Sequence, residues 1–314
     1  MSGSPERSFS FVVNPASGGG AAPEAVVPVA RLLRDAGARV DVTYSPGPQA
    51  MAAVVRAALE RDDVVVSVGG DGMVSSLAGP VSRAGGTLAV VPAGRGNDFA
   101  RMLGLPEDPA ALAEVLLHQP ARAVDLLDLE LGSGSGSAPR RVAGSVYCGV
   151  DAHAAAVVDR AHLLPRTLQY PYAAVRSLAT YQPGRFRVVV DGVVGEYTAA
   201  TVVVANSAYY GKGMKIAPDA VLDDGLLDVV VIEAAGRLEL IRALPKVYDG
   251  GHVALPEVTV LRGRRVELTA DPAGSARGHG VPVGGDGEPL GVLPRLGRPP
   301  AVVEVAPGAL QVLA

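Results

Sequence analysis

The 314-residue chain predicts an α/β domain with a mostly parallel sheet, followed by an antiparallel β domain. Three observations lead to this prediction. Strands alternate with helices up to about residue 118, and after residue 120 the strands are separated by turns instead. Hydrophobic residues make up 48% of the chain, which is enough for a sizeable core. The boundary is placed near residue 122, so the predicted domains are 1–122 and 123–314.

The first domain is predicted as a series of β-α units. Short β-branched or aromatic runs form its strands, and apolar residues at helical spacing form the helices between them. The strands are 9–13, 39–43, 63–68 and 87–91, and the helices are 24–36, 49–60, 73–83 and 109–118. Asp108 and Pro109 supply an N-cap and a first helical residue. Right-handed helical crossovers then make the sheet parallel.

The second domain is predicted from strands that alternate with turns. These strands are 123–131, 141–148, 185–190, 197–205, 227–232, 257–261 and 265–270. The Gly-Ser tract 132–137 is predicted to be a hairpin loop, because it lies between two similar strands. Residues 153–183 are predicted to form a helical, tyrosine-bearing insertion.

Composition excludes several classes of protein. A net charge of −4, 4% aromatic residues and no Trp disfavour a nucleic-acid partner. No signal sequence and no transmembrane segment of roughly 20 apolar residues is found, which predicts a cytoplasmic location. A single cysteine, Cys148, excludes an intrachain disulfide framework.

Three glycine-bearing loops follow three predicted strands, at residues 14–20, 69–72 and 92–98. In a parallel sheet they share the carboxyl edge, where such folds bind their ligand. Glycine lets backbone N–H groups approach a phosphate, so a nucleotide or phosphate site is predicted. There is no GxxxxGK[ST] motif and no complete GxGxxG motif. Asp71, between glycines, could hold Mg²⁺ against phosphates, or could serve only as a turn residue.

The chain resembles the diacylglycerol kinase catalytic family, which includes sphingosine kinases, ceramide kinases and bacterial soluble lipid kinases. The matching motifs are NPASG at 14–18, GGDG at 69–72, GRGNDFAR at 94–101, NSAYYGKGM at 206–214, APDAVLDDGLLD at 217–228 and DGE at 286–288. The resemblance implies an α/β nucleotide domain, a larger β-sandwich domain, an ATP cleft between them and a C-terminal tail that returns toward the first domain.

The resemblance also implies the site residues. ATP would be bound by Asn14, Pro15, Ala16, Ser17, Gly18, Ser45, Gly69, Gly70, Asp71, Gly72, Met73, Val74 and Ser75. Arg95 and Asn97 of the third loop are further candidate ATP contacts. Asp71 would organise the phosphates and the catalytic Mg²⁺. A structural Mg²⁺ would be bound by the Asp224 side chain and the carbonyls of Val221 and Leu226.

Glu288 is the first candidate for the proton acceptor and Asp286 a supporting one, although the same residues also make a good hairpin turn. The implied activity is transfer of the ATP γ-phosphate to the hydroxyl of a diacylglycerol-like lipid. Its lipid partner would lie at a membrane surface, with which the protein associates transiently. A homodimer is one assembly that the sequence allows.

Met73 and Arg95 occupy positions where the family usually has Thr. Arg95 is predicted to contact a phosphate in place of the missing hydroxyl, since guanidinium binds phosphate through two hydrogen bonds. The alternative is a solvent-facing Arg95. Two other functions stay open: an NAD kinase or related small-molecule kinase of the same fold, and a non-catalytic protein that binds a nucleotide or a lipid.

Overall fold

The computed structural model describes residues 7–47, 50–132, 139–150, 152, 182–272 and 280–314. The chain divides into two compact units. The first comprises Met1–Leu126 with Pro307–Ala314, and the second comprises Leu127–Ala306. The predicted fold class is confirmed, with parallel strands first and an antiparallel, sandwich-like β unit after them. The predicted insertion and Gly-Ser loop fall almost wholly outside the described residues.

The first unit alternates strands and helices. Its elements are β1 (Ser8–Val13), α1 (Ala22–Asp35), β2 (Arg39–Tyr44), α2 (Met51–Leu59), β3 (Val64–Gly69), α3 (Asp71–Arg83), β4 (Thr87–Pro92), α4 (Asp98–Met102) and α5 (Pro109–His118). The strands lie in the order β4-β3-β1-β2, and every neighbouring pair is parallel. The predicted start of α5 is confirmed, because the Asp108 carboxylate accepts the N–H of Ala111 at 2.9 Å.

Continuous apolar strands give the first unit its core, because helices cover both faces of a parallel sheet. Phe9 and Phe11 on β1 are fully buried. Their rings pack edge to face, with ring centroids 6.5 Å apart. Leu33 of α1 and Leu112 of α5 belong to the same cluster. This packing fixes the carboxyl ends of the strands, where the glycine-bearing loops begin.

The second unit is almost entirely antiparallel. Its elements are β5 (Ala121–Glu130), β6 (Arg140–Val142), β7 (Ser145–Gly149), β8 (Gly184–Val190), β9 (Val193–Ala205), β10 (Leu227–Glu233), α6 (Arg237–Asp249), β11 (Val258–Gly263), β12 (Arg265–Asp271), β13 (Pro282–Gly285), β14 (Glu288–Val292) and β15 (Ala301–Leu313). The first residues of β5 and the last residues of β15 belong to the first unit.

Strand β9 organises the second unit, since it pairs with β7, β8 and β10. Its residues from Ala199 to Ala205 are all buried, although successive side chains of a strand point to opposite faces. Val202 and Val204 belong to one apolar cluster, whereas Val203 and Ala205 belong to another. The second cluster also contains Val247 of α6. The sheet is therefore covered on both faces here.

Four elements of the second unit were not predicted: α6, β13, β14 and β15. The predicted strand 141–148 is divided into β6 and β7, with a break at Ala143 and Gly144. At the end of β15, Gln311 and Val312 pair in parallel with Thr87 and Leu88 of β4. None of the described helices is long and apolar enough to cross a bilayer.

Candidate active site

The three glycine-bearing loops meet at the carboxyl edge of the first unit's sheet. A Cβ added at Gly18 would lie 2.6 Å from the carbonyl oxygen of Ala93, and one at Gly94 would overlap the Cα of Gly70. At Gly69, the added atom would lie 2.9 Å from the hydroxyl oxygen of Ser17. Only glycine, which has no Cβ, lets the three loops approach one another so closely. The structure brings the loops together as the sequence predicts.

The first loop is fixed by Asn14. Its Oδ1 accepts the N–H of Ala16 at 3.1 Å, and its main-chain carbonyl accepts the N–H of Ser17 at 3.1 Å. Pro15 and Ala16 are exposed at the tip of the loop. The N–H of Ser45 donates to the Val13 carbonyl at 2.8 Å, which holds the end of β2 beside the start of this loop. The predicted ATP contacts of the first loop and Ser45 thus lie on neighbouring segments.

The third loop is closed by Asn97. This residue adopts a left-handed conformation with φ of 56°, and its Oδ1 accepts the N–H of Gly94 at 2.8 Å. Arg95 lies between these two residues and is exposed. The loop therefore presents the Arg95 guanidinium group to solvent from a turn that Asn97 fixes.

Asp71 is the first residue of α3 and reaches the start of α4. Its Oδ1 accepts the N–H of Phe99 at 3.0 Å. Burial raises the pKa of Asp71, and the backbone N–H groups of Phe99, Asp98 and Asn97 partly oppose that rise. A carboxylate that has lost much of its hydration is stabilised by a cation. Asp71 is thus a chemically suitable Mg²⁺ ligand beside the glycine loops.

Side chains in the first turn of α3 differ in their access to solvent. Met73 is 4% exposed and packs against Gly69, and Val74 is also buried. The N–H of Met73 donates to the Gly70 carbonyl at 2.9 Å. Gly72 and Ser75 are partly exposed. The Met73 side chain therefore packs under the 69–72 loop. It does not occupy an exposed position, as a phosphate-binding hydroxyl would.

In the second unit, Asp286 and Gly287 form the two-residue turn between β13 and β14. Their φ values of 47° and 88° match the Asp-Gly pattern of a tight hairpin. The Asp286 carboxylate accepts N–H bonds from Ala143 at 2.8 Å, Gly144 at 2.9 Å and Ser145 at 3.0 Å. Asp286 thus anchors the hairpin to the break between β6 and β7, which favours a positioning role over proton acceptance.

Two further contacts fix the hairpin and the β6–β7 break to which it is anchored, and the sequence did not predict either. The Tyr147 hydroxyl accepts the N–H of Gly287 at 3.1 Å. The Gly144 carbonyl accepts the N–H of Asn206 at 2.8 Å. Gly144 within an apolar run was the one available signal for the break. Glu288 follows the turn directly and is exposed, so its carboxylate is accessible.

The APDAVLDDGLLD motif at 217–228 places two carboxylates beside the Arg262 guanidinium group. Asp224 forms an ion pair with Arg262 and accepts the N–H of Leu226 at 3.0 Å, and Asp228 lies 3.2 Å from the Arg262 Nε. Burial raises the pKa of Asp228; Arg262 opposes the rise, whereas Asp224 and Asp219 add to it. The negative charge here exceeds what one guanidinium neutralises, and hard oxygen ligands suit Mg²⁺.

No group of three or more His, Cys, Asp or Glu side chains converges as a metal site among the residues with described positions. The predicted structural Mg²⁺ site contains only one such side chain, the Asp224 carboxylate. Its other two ligands would be the main-chain carbonyls of Val221 and Leu226. The donor chemistry of these three residues fits the ion.

Comparison with known proteins gives two family matches. Residues 8–129 match the diacylglycerol kinase catalytic domain, and residues 144–314 match the YegS C-terminal NAD kinase beta sandwich-like domain. Together the two matches span most of the chain.

Individual relatives carry kinase names. The chain is 32% identical over 312 residues to a diacylglycerol kinase of Mycobacterium tuberculosis, covering 96% of this chain and 93% of that protein. It is 27% identical over 247 residues to a diacylglycerol kinase of Bacillus subtilis, covering 77% and 76%. A solved diacylglycerol kinase from Bacillus anthracis superposes with a TM-score of 0.67 at 18% identity, covering 98% of this chain and 96% of the other. That likeness shows the fold.

Proposed function

The chain belongs to the diacylglycerol kinase family, and from this premise we propose that it transfers the γ-phosphate of ATP to the hydroxyl of a diacylglycerol-like lipid. The observation that carries the proposal is the meeting of three glycine loops around Asp71, whose partly buried carboxylate has a raised pKa. Phosphoryl transfer needs positioning and neutralisation of charge more than covalent chemistry by the protein. A rigid set of main-chain N–H groups beside such a carboxylate suits that task.

Each group in the first unit has a role in this proposal. Main-chain N–H groups of the loops bind the phosphates. Asp71 would hold a Mg²⁺ ion, which would supply positive charge beside those phosphates. Asn97 keeps the third loop closed through its bond to Gly94. Arg95 adds a charged contact from the exposed tip of that loop.

In the second unit, Glu288 accepts the proton of the lipid hydroxyl. The lipid oxygen then bonds to the γ-phosphorus, and the bond from that phosphorus to the bridging oxygen breaks, so that ADP leaves with the electron pair. Asp286 and Tyr147 hold the hairpin that carries Glu288. The lipid substrate places this reaction at a membrane surface, with which the protein associates transiently.

Measuring ATP consumption tests the proposal. Purified protein with ATP and Mg²⁺ should release ADP with diacylglycerol micelles, and should do so far more slowly with micelles alone or with NAD. Equal or greater consumption with NAD would support the small-molecule kinase. ATP binding without consumption under any condition would contradict the proposal and support a non-catalytic protein.

Arg95→Ala is expected to weaken ATP binding about ten-fold, because charge-assisted hydrogen bonds contribute roughly 1.5–3 kcal/mol. Arg95→Thr, which restores the usual hydroxyl, should recover part of that affinity. Arg56→Ala is a matched control, since Arg56 is an exposed arginine in the last turn of α2. Titration calorimetry with a non-hydrolysable ATP analogue measures all three; unchanged affinity in Arg95→Ala would show that Arg95 only faces solvent.

Asp224→Ala is expected to lower the melting temperature more in Mg²⁺ buffer than in chelator, because an ion bound only by the folded state stabilises it. Loss of the Arg262 ion pair contributes equally in both buffers. Asp191→Ala is the control, because Asp191 also accepts backbone N–H bonds, from Arg264 and Arg265. Equal shifts in both buffers for Asp224→Ala would place no ion at this site.

A further inference from the structure

Helix α6 exposes more apolar surface than its packing on the second unit explains. Val247 is its one buried residue among those described. Leu238, Ile241, Pro245 and Tyr248 recur at intervals of three and four residues, so they form one stripe along the helix. Leu238 is 68% exposed and Tyr248 is 55% exposed. This stripe of four residues is named the apolar stripe below.

Basic residues run beside the apolar stripe. Arg242 and Lys246 are exposed and lie one turn apart, between the apolar stripe and the side of the helix that carries Val247. The two acidic residues of α6 act at its ends. Glu239 accepts the N–H of Gly236 at 2.9 Å, and Asp249 accepts the N–H of Gly251 at 2.8 Å. The middle of the exposed face is therefore apolar and basic.

The lysines of the chain concentrate at this helix. The whole sequence contains only Lys212, Lys215 and Lys246. The N–H of Lys215 donates to the carbonyl of Val247 at 2.7 Å, which joins the 212–215 segment to the last turn of α6. The chain as a whole has a net charge of −4, so this basic face is opposite in sign to the protein's overall charge.

We propose that α6 docks on the surface of an anionic phospholipid bilayer, with the apolar stripe inserted at the headgroup boundary. An apolar face bordered by Lys and Arg is the pattern of helices that lie in a membrane interface. Long Lys and Arg stems keep their charges at the headgroups while the stripe enters the apolar region. The inference deepens the proposed function, on which it rests for its biological sense, by naming the face that meets the membrane.

Charge distinguishes this face from another exposed apolar site in the same unit. The β8–β9 hairpin exposes Val193 by 74% and Val194 by 50%, but Asp191 and Glu196 flank it. Acidic neighbours oppose approach to an anionic surface, whereas Arg242 and Lys246 favour it. The hairpin therefore provides a control that is also exposed and apolar but has flanking charges of the opposite sign.

Co-sedimentation with vesicles tests the proposal, with no nucleotide or diacylglycerol present, so that its result is independent of kinase activity. The full chain should bind vesicles of phosphatidylcholine with 30% phosphatidylglycerol, on the order of a biological anionic surface, and bind pure phosphatidylcholine far less. The double variant Arg242→Gln with Lys246→Gln should bind the anionic vesicles about thirty-fold more weakly. Leu238→Ser with Tyr248→Ser should also weaken binding, and Val193→Ser with Val194→Ser should not.

Three outcomes would overturn the proposal. The first is that the wild type binds neither vesicle, or both equally. The second is that both α6 double variants bind anionic vesicles as the wild type does. The third is that the α6 variants bind normally but lose a dimer seen by light scattering, which would assign the face to a second copy of the chain. All changed positions are at the surface, and unchanged melting temperatures would show that the variants fold.

Discussion

Asp71→Asn is expected to lower the rate of phosphoryl transfer by about a thousand-fold, the upper end of the range for one charge-stabilising group. The substitution keeps an oxygen that can accept the N–H of Phe99, so the contact to α4 can survive. It removes the negative charge that would hold Mg²⁺ beside the phosphates. Steady-state kinetics with saturating ATP and diacylglycerol micelles measures the loss.

The same substitution is not expected to destabilise the fold. Burial raises the pKa of Asp71 above its ordinary value, so the folded state disfavours the ionised form. Ionised Asp71 therefore costs folding free energy at pH values above the unfolded pKa, and that cost grows until pH exceeds the folded pKa. Asparagine has no such cost. The melting temperature of Asp71→Asn at neutral pH should equal or exceed that of the wild type.

Asp108→Asn is a matched control for Asp71→Asn. Asp108 also accepts an N–H at the start of a helix in the first unit, that of Ala111, and it lies outside the glycine loops. Its replacement should leave turnover unchanged. Near-normal turnover in a folded Asp71→Asn variant would remove Asp71 from the mechanism, whereas a large fall in melting temperature would show that its carboxylate is needed for packing.

The elements of the first unit were predictable because their sequence signals are local. The strands of the first unit are short apolar runs, and the glycine loops directly follow three of them, so chain order alone placed the loops at one edge. The start of α5 was readable for the same reason, because its cap comes from the adjacent Asp108. Local rules do not say which glycine meets which backbone, and the close approach of Gly94 to Gly70 became visible only in the structure.

The missed elements have signals that are mixed or distant. Helix α6 has Gly236 and Glu239 at its start, but it contains Pro245 and lies between two predicted strands, and no element was predicted there. Strand β15 contains Pro307 and Gly308, and its pairing with β4 links segments far apart in sequence. Likewise, nothing near Asp286 shows that its carboxylate binds the backbone at Gly144.

The side chain of Met73, which follows the GGDG motif, lies in the core of the first unit. Its side chain packs inward against Gly69, so the predicted contact of Met73 with ATP would come from its main chain. The first turn of α3 directs successive side chains about 100° apart, so one of them must enter the core. An apolar residue at position 73 is therefore consistent with the fold. The fold itself does not need the threonine hydroxyl that the family usually has at this position.

The last expected result separates the two carboxylates of the β13–β14 hairpin. Glu288→Gln should reduce kcat by about a hundred-fold to ten-thousand-fold, the range for loss of a general base, with KM for ATP unchanged. Glutamine matches glutamate in size but does not accept the proton of the lipid hydroxyl. Because Glu288 is exposed, its melting temperature should stay at the wild-type value.

Asp286→Ala should behave differently, because it removes three charge-assisted bonds to Ala143, Gly144 and Ser145. Their loss should lower the free energy of unfolding by about 3 kcal/mol, a value limited by water replacing part of them. Activity should fall along with stability and recover in part on cooling, as expected for a residue that positions Glu288. A Glu288→Gln variant with wild-type kcat would contradict its role as proton acceptor, and a stable but inactive Asp286→Ala variant would transfer that role to Asp286.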